Sequence, residues 1–214
     1  MTELLHIKAS PRADLSHSGK AAAGFIAALE KHHPALQVRE IDVWKADLPA
    51  FDGPLLAAKY ARLAGRPFTP QEAESWAAIE DMVRRLDAAK IVLLSTPMWN
   101  LSIPYRLKHY IDLVTQPGLS FRFDPQTGYT PLLRPRPIVA ILASSGDFSE
   151  GPSWGRPDLA TPYLRQALKF IGFRDVDIVP VGPTVGKPGD VLAAAEKAQA
   201  QLAALAERLA RVDA

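Results

Sequence analysis

The chain has no cysteine. That absence excludes disulfide scaffolds, thiolate zinc sites, iron–sulfur clusters and cysteine nucleophiles. Any redox chemistry must therefore come from a bound group. An excess of one charge is also missing: 25 Lys and Arg stand against 23 Asp and Glu, a formal charge of +2 over 214 residues. Such a balance offers no electrostatic ground for a nucleic-acid partner. No stretch approaches the roughly 20 apolar residues of a membrane span. The opening residues Met1–Ile7 carry neither a basic leader nor a long apolar run, so the expectation is a soluble cytoplasmic protein with no membrane partner. Neither G-x-G-x-x-G nor G-x-x-x-x-G-K-[ST] occurs, which removes the dinucleotide fingerprint and the P-loop.

What the chain has in plenty is hydrophobic residues, 48%, and prolines, 19 against 13 glycines. The apolar runs Leu4–Ala9, Val38–Trp44, Ile91–Ser95, Pro137–Ala143 and Val176–Val181 read as strands. Between them lie segments with helical spacing: Lys20–His33, Asp52–Leu63, a segment opening at Thr69, Pro104–Thr115 and Leu159–Ile171, with Pro188–Val212 after the last strand. Thr69-Pro70-Gln71-Glu72 has the pattern of a capping box with proline at the first helical position. Phe121-Arg122-Phe123-Asp124 alternates and is followed by Gln126-Thr127-Gly128, so Gly118–Pro131 reads as a hairpin or lid. Strands alternating with helices imply a three-layer α/β/α domain on a parallel sheet, one domain over 1–214. Five strands favour the order 2-1-3-4-5.

In that topology ligands bind beyond the carboxyl ends of the strands, where the loops after strands one, three and four converge. The first loop carries Ser10, Ser16, His17 and Ser18 at a helix start. Hydroxyls and free N–H groups at a helix N-terminus suit an anion such as the monophosphate of FMN; taken alone, the same serines read as helix caps. The second loop, Pro97-Met98-Trp99-Asn100-Leu101, offers an apolar wall, an aromatic ring and polar groups, as a flavin needs. Taken alone, Trp99 reads as a core or interface aromatic. The third loop, Ser144-Ser145-Gly146-Asp147, could present backbone N–H groups, with Gly146 allowing close approach; it reads equally as a strand-end turn. No G-x-S-x-G elbow is expected in the chain, so Ser144 is not read as a hydrolase nucleophile. The histidines lack ligand-like spacing, so no metal site is expected. His109 and Asp112 are near enough on one helix to meet.

The chain resembles the FMN-dependent NAD(P)H azoreductases, or quinone reductases, of the flavodoxin-like superfamily. The resemblance rests on Ser10-Pro11-Arg12 with Ser16-His17-Ser18, Pro97–Leu101, Leu107–Val114, Gly118–Phe123 and Thr161–Leu164 with Phe170-Ile171-Gly172. It implies that Ser10 and Ser16–Ser18 hold the phosphate and ribityl end, that Pro97–Leu101 line the ring, and that Ser144–Asp147 sit at its other edge. It implies a homodimer whose partner completes a substrate pocket that includes Phe121 and Phe123. The activity implied is ping-pong electron transfer from NADH or NADPH through FMN to a quinone or azo compound, with the flavin and no side chain carrying the chemistry. The alternative is a flavodoxin-like electron carrier or FMN-binding module without its own NAD(P)H oxidation. Such carriers tend to be shorter and acidic, unlike this chain.

Overall fold

The computed structural model describes residues 2–212. Five parallel strands form one sheet: β1 (Glu3–Lys8), β2 (Gln37–Asp42), β3 (Ile91–Pro97), β6 (Ile138–Ala143) and β7 (Val176–Val181). Their order is β2-β1-β3-β6-β7, the expected 2-1-3-4-5 once the separate hairpin strands β4 (Phe121–Asp124) and β5 (Gly128–Pro131) are left out of the count. The register pairs Leu5 with Arg39, Val92 with Ile138, and Ile138 with Val176. All six residues of β6 are buried. A central strand covered on both faces has no polar side to show, which explains its unbroken apolar sequence.

Alternation along β1 feeds two cores. Leu5 and Ile7 point to one face, where they join Trp76, Ile79 and Val83 of α3 (Pro70–Ala88), Leu107 of α4 (Tyr105–Val114) and Leu164 of α5 (Ala160–Ile171). Leu4 points to the other, with Phe25 and Leu29 of α1 (His17–His32) and Leu202 and Leu209 of α6 (Pro188–Val212). The Ala-rich C-terminal segment is thus a packed outer helix. Helix α2 (Gly53–Leu63) lies against α3. Among the described residues no helix is long and apolar enough to cross a membrane.

The capping box forms as its sequence dictates. Thr69 Oγ1 accepts from the Glu72 N–H at 3.3 Å, and Glu72 Oε2 accepts from the Thr69 N–H at 2.8 Å. Arg66 also contacts Glu72 at 2.5 Å. Thr69→Ala is expected to cost about 1 kcal/mol, read as a lower urea midpoint at unchanged slope.

The Gly118–Pro131 segment is a hairpin of β4 (Phe121–Asp124) and β5 (Gly128–Pro131), with Phe123 opposite Tyr129. Asp124 closes its turn by accepting from the N–H groups of Gln126 and Thr127, and Gly128 takes a φ of +78°. The hairpin is tied to α5 through rings: Phe121 and Tyr129 both pack on Phe170.

Candidate functional site at the carboxyl edge of the sheet

The three loops emerge from the carboxyl ends of adjacent strands, and backbone bonds hold them together. The Ala9 N–H donates to the Ser95 carbonyl, and the Met98 N–H donates to the Ala143 carbonyl at 2.7 Å. This edge brings the candidate residues after β1, β3 and β6 to one end of the fold.

In the first loop, Ser16 caps α1 and accepts from the Gly19 N–H at 3.0 Å. Helix α1 therefore begins at His17, three residues before the Lys20 expected from periodicity. Ser18, in the first turn, is buried and 3.3 Å from the Ser16 hydroxyl. Capping and anion binding are compatible here, since one cap leaves the other first-turn N–H groups free. His17 stands among like charges: partial burial first, then Arg12 and Lys20, pull its pKa below the ordinary value. Ser10 accepts from the Arg12 N–H at 3.4 Å, a long contact that leaves the hydroxyl's proton available.

The second loop is a tight turn. Trp99 and Ser102 exchange both backbone hydrogen bonds, at 2.8 and 3.0 Å. The two residues between them, Asn100 and Leu101, have φ of +46° and +72°, the signature of a type I′ turn. Leucine is an unfavourable residue for that conformation, so the strain is offset elsewhere. The Leu101 carbonyl accepts from the Leu159 N–H, which pins the turn from outside. Met98 packs against the core, and Pro97 and Met98 are half-buried. Trp99 is neither core nor free: it leans on Trp44 with ring centroids 5.4 Å apart, and Trp44 meets Tyr105 edge-on at 5.3 Å. The Trp44 indole N–H donates to the Ala9 carbonyl at 3.0 Å, so this aromatic shelf links the first two loops.

In the third loop the Ser144 hydroxyl is buried and donates to the Gly146 carbonyl at 2.7 Å, which occupies it internally. Asp147 accepts from the Ser149 N–H, and that bond holds its carboxyl below the usual range. A Cβ on Gly146 would lie 2.2 Å from the Ser153 hydroxyl, so the approach of Ser153 calls for glycine on that side of the loop. Ser145 is exposed.

Contrary to the expectation that the chain has no such motif, the segment Gly151-Pro152-Ser153-Trp154-Gly155 carries G-x-S-x-G spacing. Its setting is not a nucleophile elbow. Ser153 and Arg156 exchange backbone bonds across a turn, and Ser153 is buried against Gly146. His109 and Asp112 do not meet: His109 Nε2 bonds to the Pro49 carbonyl at 2.9 Å, and Asp112 takes the Lys108 ammonium at 2.7 Å. His6, buried on β1, bonds Ser95 Oγ at 2.9 Å and faces Glu40 at 3.5 Å. Burial pulls its pKa down to about 4, so it is neutral at neutral pH.

The decisive feature for a cofactor is the set of unused donors. The N–H groups of Asn100, Leu101, Ser145, Gly146 and Asp147 have no backbone partner among the described residues. They sit on two adjacent strand-end loops, beside a helix N-terminus carrying two serine hydroxyls. A group with a phosphate at one end and a planar acceptor-rich ring at the other fits this donor set.

Phe121 and Phe123 lie apart from these loops. They line a groove of about 1380 Å³ between the hairpin and α2.

Comparison with known proteins gives the same direction. A family profile of the flavodoxin-like fold matches residues 2–206. The chain is 47% identical over 206 residues to the FMN-dependent NADH:quinone oxidoreductase 1 of Bradyrhizobium diazoefficiens, covering 96% of this chain and 99% of that relative. The chain belongs to the FMN-dependent NADH:quinone oxidoreductase family. A further family member, from Nitratidesulfovibrio vulgaris, is 40% identical over 200 residues, 94% of this chain and 95% of the other. The family's likeness to azoreductases extends to solved structures. An azoreductase from Bacillus anthracis superposes with a TM-score of 0.86 at 27% identity, over 97% of this chain and 100% of the other. An FMN-dependent NADH-azoreductase of the same species, solved with FMN, gives 0.83 at 25% identity, over 98% and 100%.

Proposed function

We propose that this chain is a cytoplasmic, homodimeric FMN-dependent oxidoreductase of one domain that passes electrons from NADH to quinones, and to azo compounds of similar shape. The observation that carries the proposal is the unused donor set at the carboxyl edge of β1, β3 and β6. FMN, when bound, supplies the two-electron chemistry. The first turn of α1, with Ser10, Ser16 and Ser18, binds the phosphate through hydroxyls and N–H groups. Pro97, Met98 and Trp99 cover the ring and exclude water. The N–H groups of Asn100 and Leu101, and of Ser145, Gly146 and Asp147, orient it from two sides and stabilise negative charge at its polar edge. The side chains of Ser144 and Asp147 hold the third loop's shape, since both are committed to their own backbone. Phe121 and Phe123 supply an aromatic wall of the acceptor pocket, completed by the partner subunit. NADH is favoured as donor over NADPH because it is the donor named for the relatives.

The test is steady-state NADH oxidation by FMN-loaded protein with menadione. Rapid turnover without a partner protein supports an enzyme. Stoichiometric FMN without such turnover would make the protein a carrier. A colourless protein that takes up no FMN contradicts both readings.

Asn100→Ala is expected to weaken FMN about tenfold or to lower turnover, because alanine resists the positive φ and moves the neighbouring N–H groups. Asn100→Gly keeps the turn and should lose less. Unchanged occupancy and rate in both variants would place the pocket elsewhere.

A further inference from the structure

Trp44 stands outside the three strand-end loops, yet it touches two of them. Its indole N–H donates to the Ala9 carbonyl at 3.0 Å, and its ring leans on Trp99 with centroids 5.4 Å apart. Tyr105 closes the stack edge-on at 5.3 Å. Trp99 is 37% exposed, so the core does not enclose it. Trp44 is its one aromatic neighbour among the described residues.

The segment that carries Trp44 is fixed from two sides. The Trp44 N–H donates to Asp42 Oδ1 at 3.0 Å, and the Asp42 carbonyl accepts from the N–H groups of Lys45 and Ala46. From α4, Arg106 donates through Nε to the Val43 carbonyl at 2.8 Å and through Nη2 to the Ala46 carbonyl at 2.9 Å. The rigid guanidinium fork thus takes two carbonyls that bracket Trp44.

The bond to Ala9 also orients the next residue. A trans peptide is planar, with its carbonyl and the following N–H pointing in opposite directions, and the Ala9–Ser10 bond is trans. Its carbonyl is held by Trp44, so the Ser10 N–H is aimed away from Trp44, and it has no backbone partner among the described residues. The Ala9 N–H is held in turn by the Ser95 carbonyl at 2.8 Å, which leaves this stretch of backbone little freedom to rotate.

We infer that Trp44 is a positioning residue of the cofactor site. Its indole N–H holds the Ser10 N–H in place as a phosphate donor, and its ring holds Trp99 in place as the cover of the flavin ring. Arg106 positions Trp44. Both residues act on the cofactor through others. The inference rests on the proposed FMN site and names what sets the spacing between its phosphate grip and its ring cover.

The experiment titrates FMN, and riboflavin, which lacks the phosphate, by fluorescence quenching against the wild type, Trp44→Phe, Trp44→Ala, Arg106→Ala and Arg106→Lys. Trp44→Phe keeps a ring beside Trp99 and removes the indole N–H. It is expected to weaken FMN about tenfold, the worth of one charge-assisted hydrogen bond, and riboflavin by less than about twofold. Trp44→Ala removes the ring as well and should also weaken riboflavin, about fivefold. Arg106→Ala should weaken FMN about fivefold, and Arg106→Lys, which can reach one of the two carbonyls, should recover part of the loss. In the wild type the Trp44 indole N–H should exchange slowly before any flavin is added, and the Ser10 amide should gain protection with FMN but not with riboflavin. An FMN-to-riboflavin preference that Trp44→Phe leaves unchanged overturns the inference, because the tryptophan would then serve packing alone. If neither Trp44 variant folds, the wild-type exchange decides, and a Ser10 amide that FMN leaves unprotected overturns it. Wild-type protein that takes up neither flavin would sink the proposed function, and the inference with it.

Discussion

Replacing Ser16 with Asp is expected to abolish tight FMN binding while the protein stays folded. Asp is as good an N-cap as Ser, and its charge is favourable at a helix N-terminus. The bond from Gly19 to the Ser16 hydroxyl therefore has a replacement, and the apo-protein should melt within about 3 °C of the wild type. The phosphate meets the opposite situation. A carboxylate about 4 Å from a single phosphate charge costs on the order of 4 kcal/mol at the effective dielectric of a protein surface. Half of that already exceeds a tenfold loss, and the phosphate approaches a double charge. The expected result is an FMN dissociation constant raised at least about 100-fold, read by quenching of flavin fluorescence on titration. Ser16→Ala separates the contributions: it loses the cap, about 1 kcal/mol of stability, and has a much smaller effect on FMN. A folded Ser16→Asp protein with wild-type affinity would mean that the phosphate lies away from α1.

The second large effect is on stability and lies far from the site. Asp87, near the end of α3, accepts from the Arg134 N–H at 2.9 Å and from the Arg136 guanidinium at 2.9 Å. The Arg136 side chain is only 5% exposed. Arg136 also stacks on Phe173 and donates to the Leu86 carbonyl. Asp87→Ala leaves a buried guanidinium without its counter-charge, a loss of about 3 kcal/mol. The pH dependence follows from the same contacts. Burial works to raise the Asp87 pKa, but the Arg134 N–H and the Arg136 charge outweigh it and hold the pKa below its ordinary value. The unfolded chain takes up a proton at Asp87 first as pH falls. The stabilisation is thus complete above the ordinary aspartate range and is lost as pH falls through the depressed folded value. Denaturant titrations from pH 7 to pH 3 should show a smaller acid loss in Asp87→Ala than in the wild type. Parallel curves would contradict that assignment.

The sheet was legible because its signals are local. A strand covered on both faces must be apolar throughout, and Ile91–Leu94 and Ile138–Ala143 are. Thr69 and Glu72 announce a helix start because the two halves of the capping box lie only three residues apart in sequence. The three strand-end loops could be named from topology, and the structure gathers them at one edge.

Other features depend on long-range contact. The Cβ side of Gly146 is filled by Ser153, which arrives from a later turn, so no local pattern announces that contact. Trp44 closes a strand-like run in the sequence, yet in the fold it lies beyond β2, braces Trp99 and bonds Ala9. The type I′ turn at Asn100-Leu101 was hidden because leucine replaces the glycine that normally marks such a turn. Its usable signal was the asparagine between two prolines, Pro97 and Pro104. The lining of the hairpin groove was hidden for a similar reason: Lys59, Arg62 and Arg122 come from separate segments and line it together only in the fold.

The central claim, that α1 and the loops after β3 and β6 together hold FMN, is tested most directly by amide hydrogen exchange with and without FMN, followed residue by residue by NMR. Slowed exchange is expected at His17 and Ser18, at Asn100 and Leu101, and at Ser145, Gly146 and Asp147, with the outer face of α6 unchanged. FMN binding that protects other segments and leaves these seven amides unchanged would contradict it.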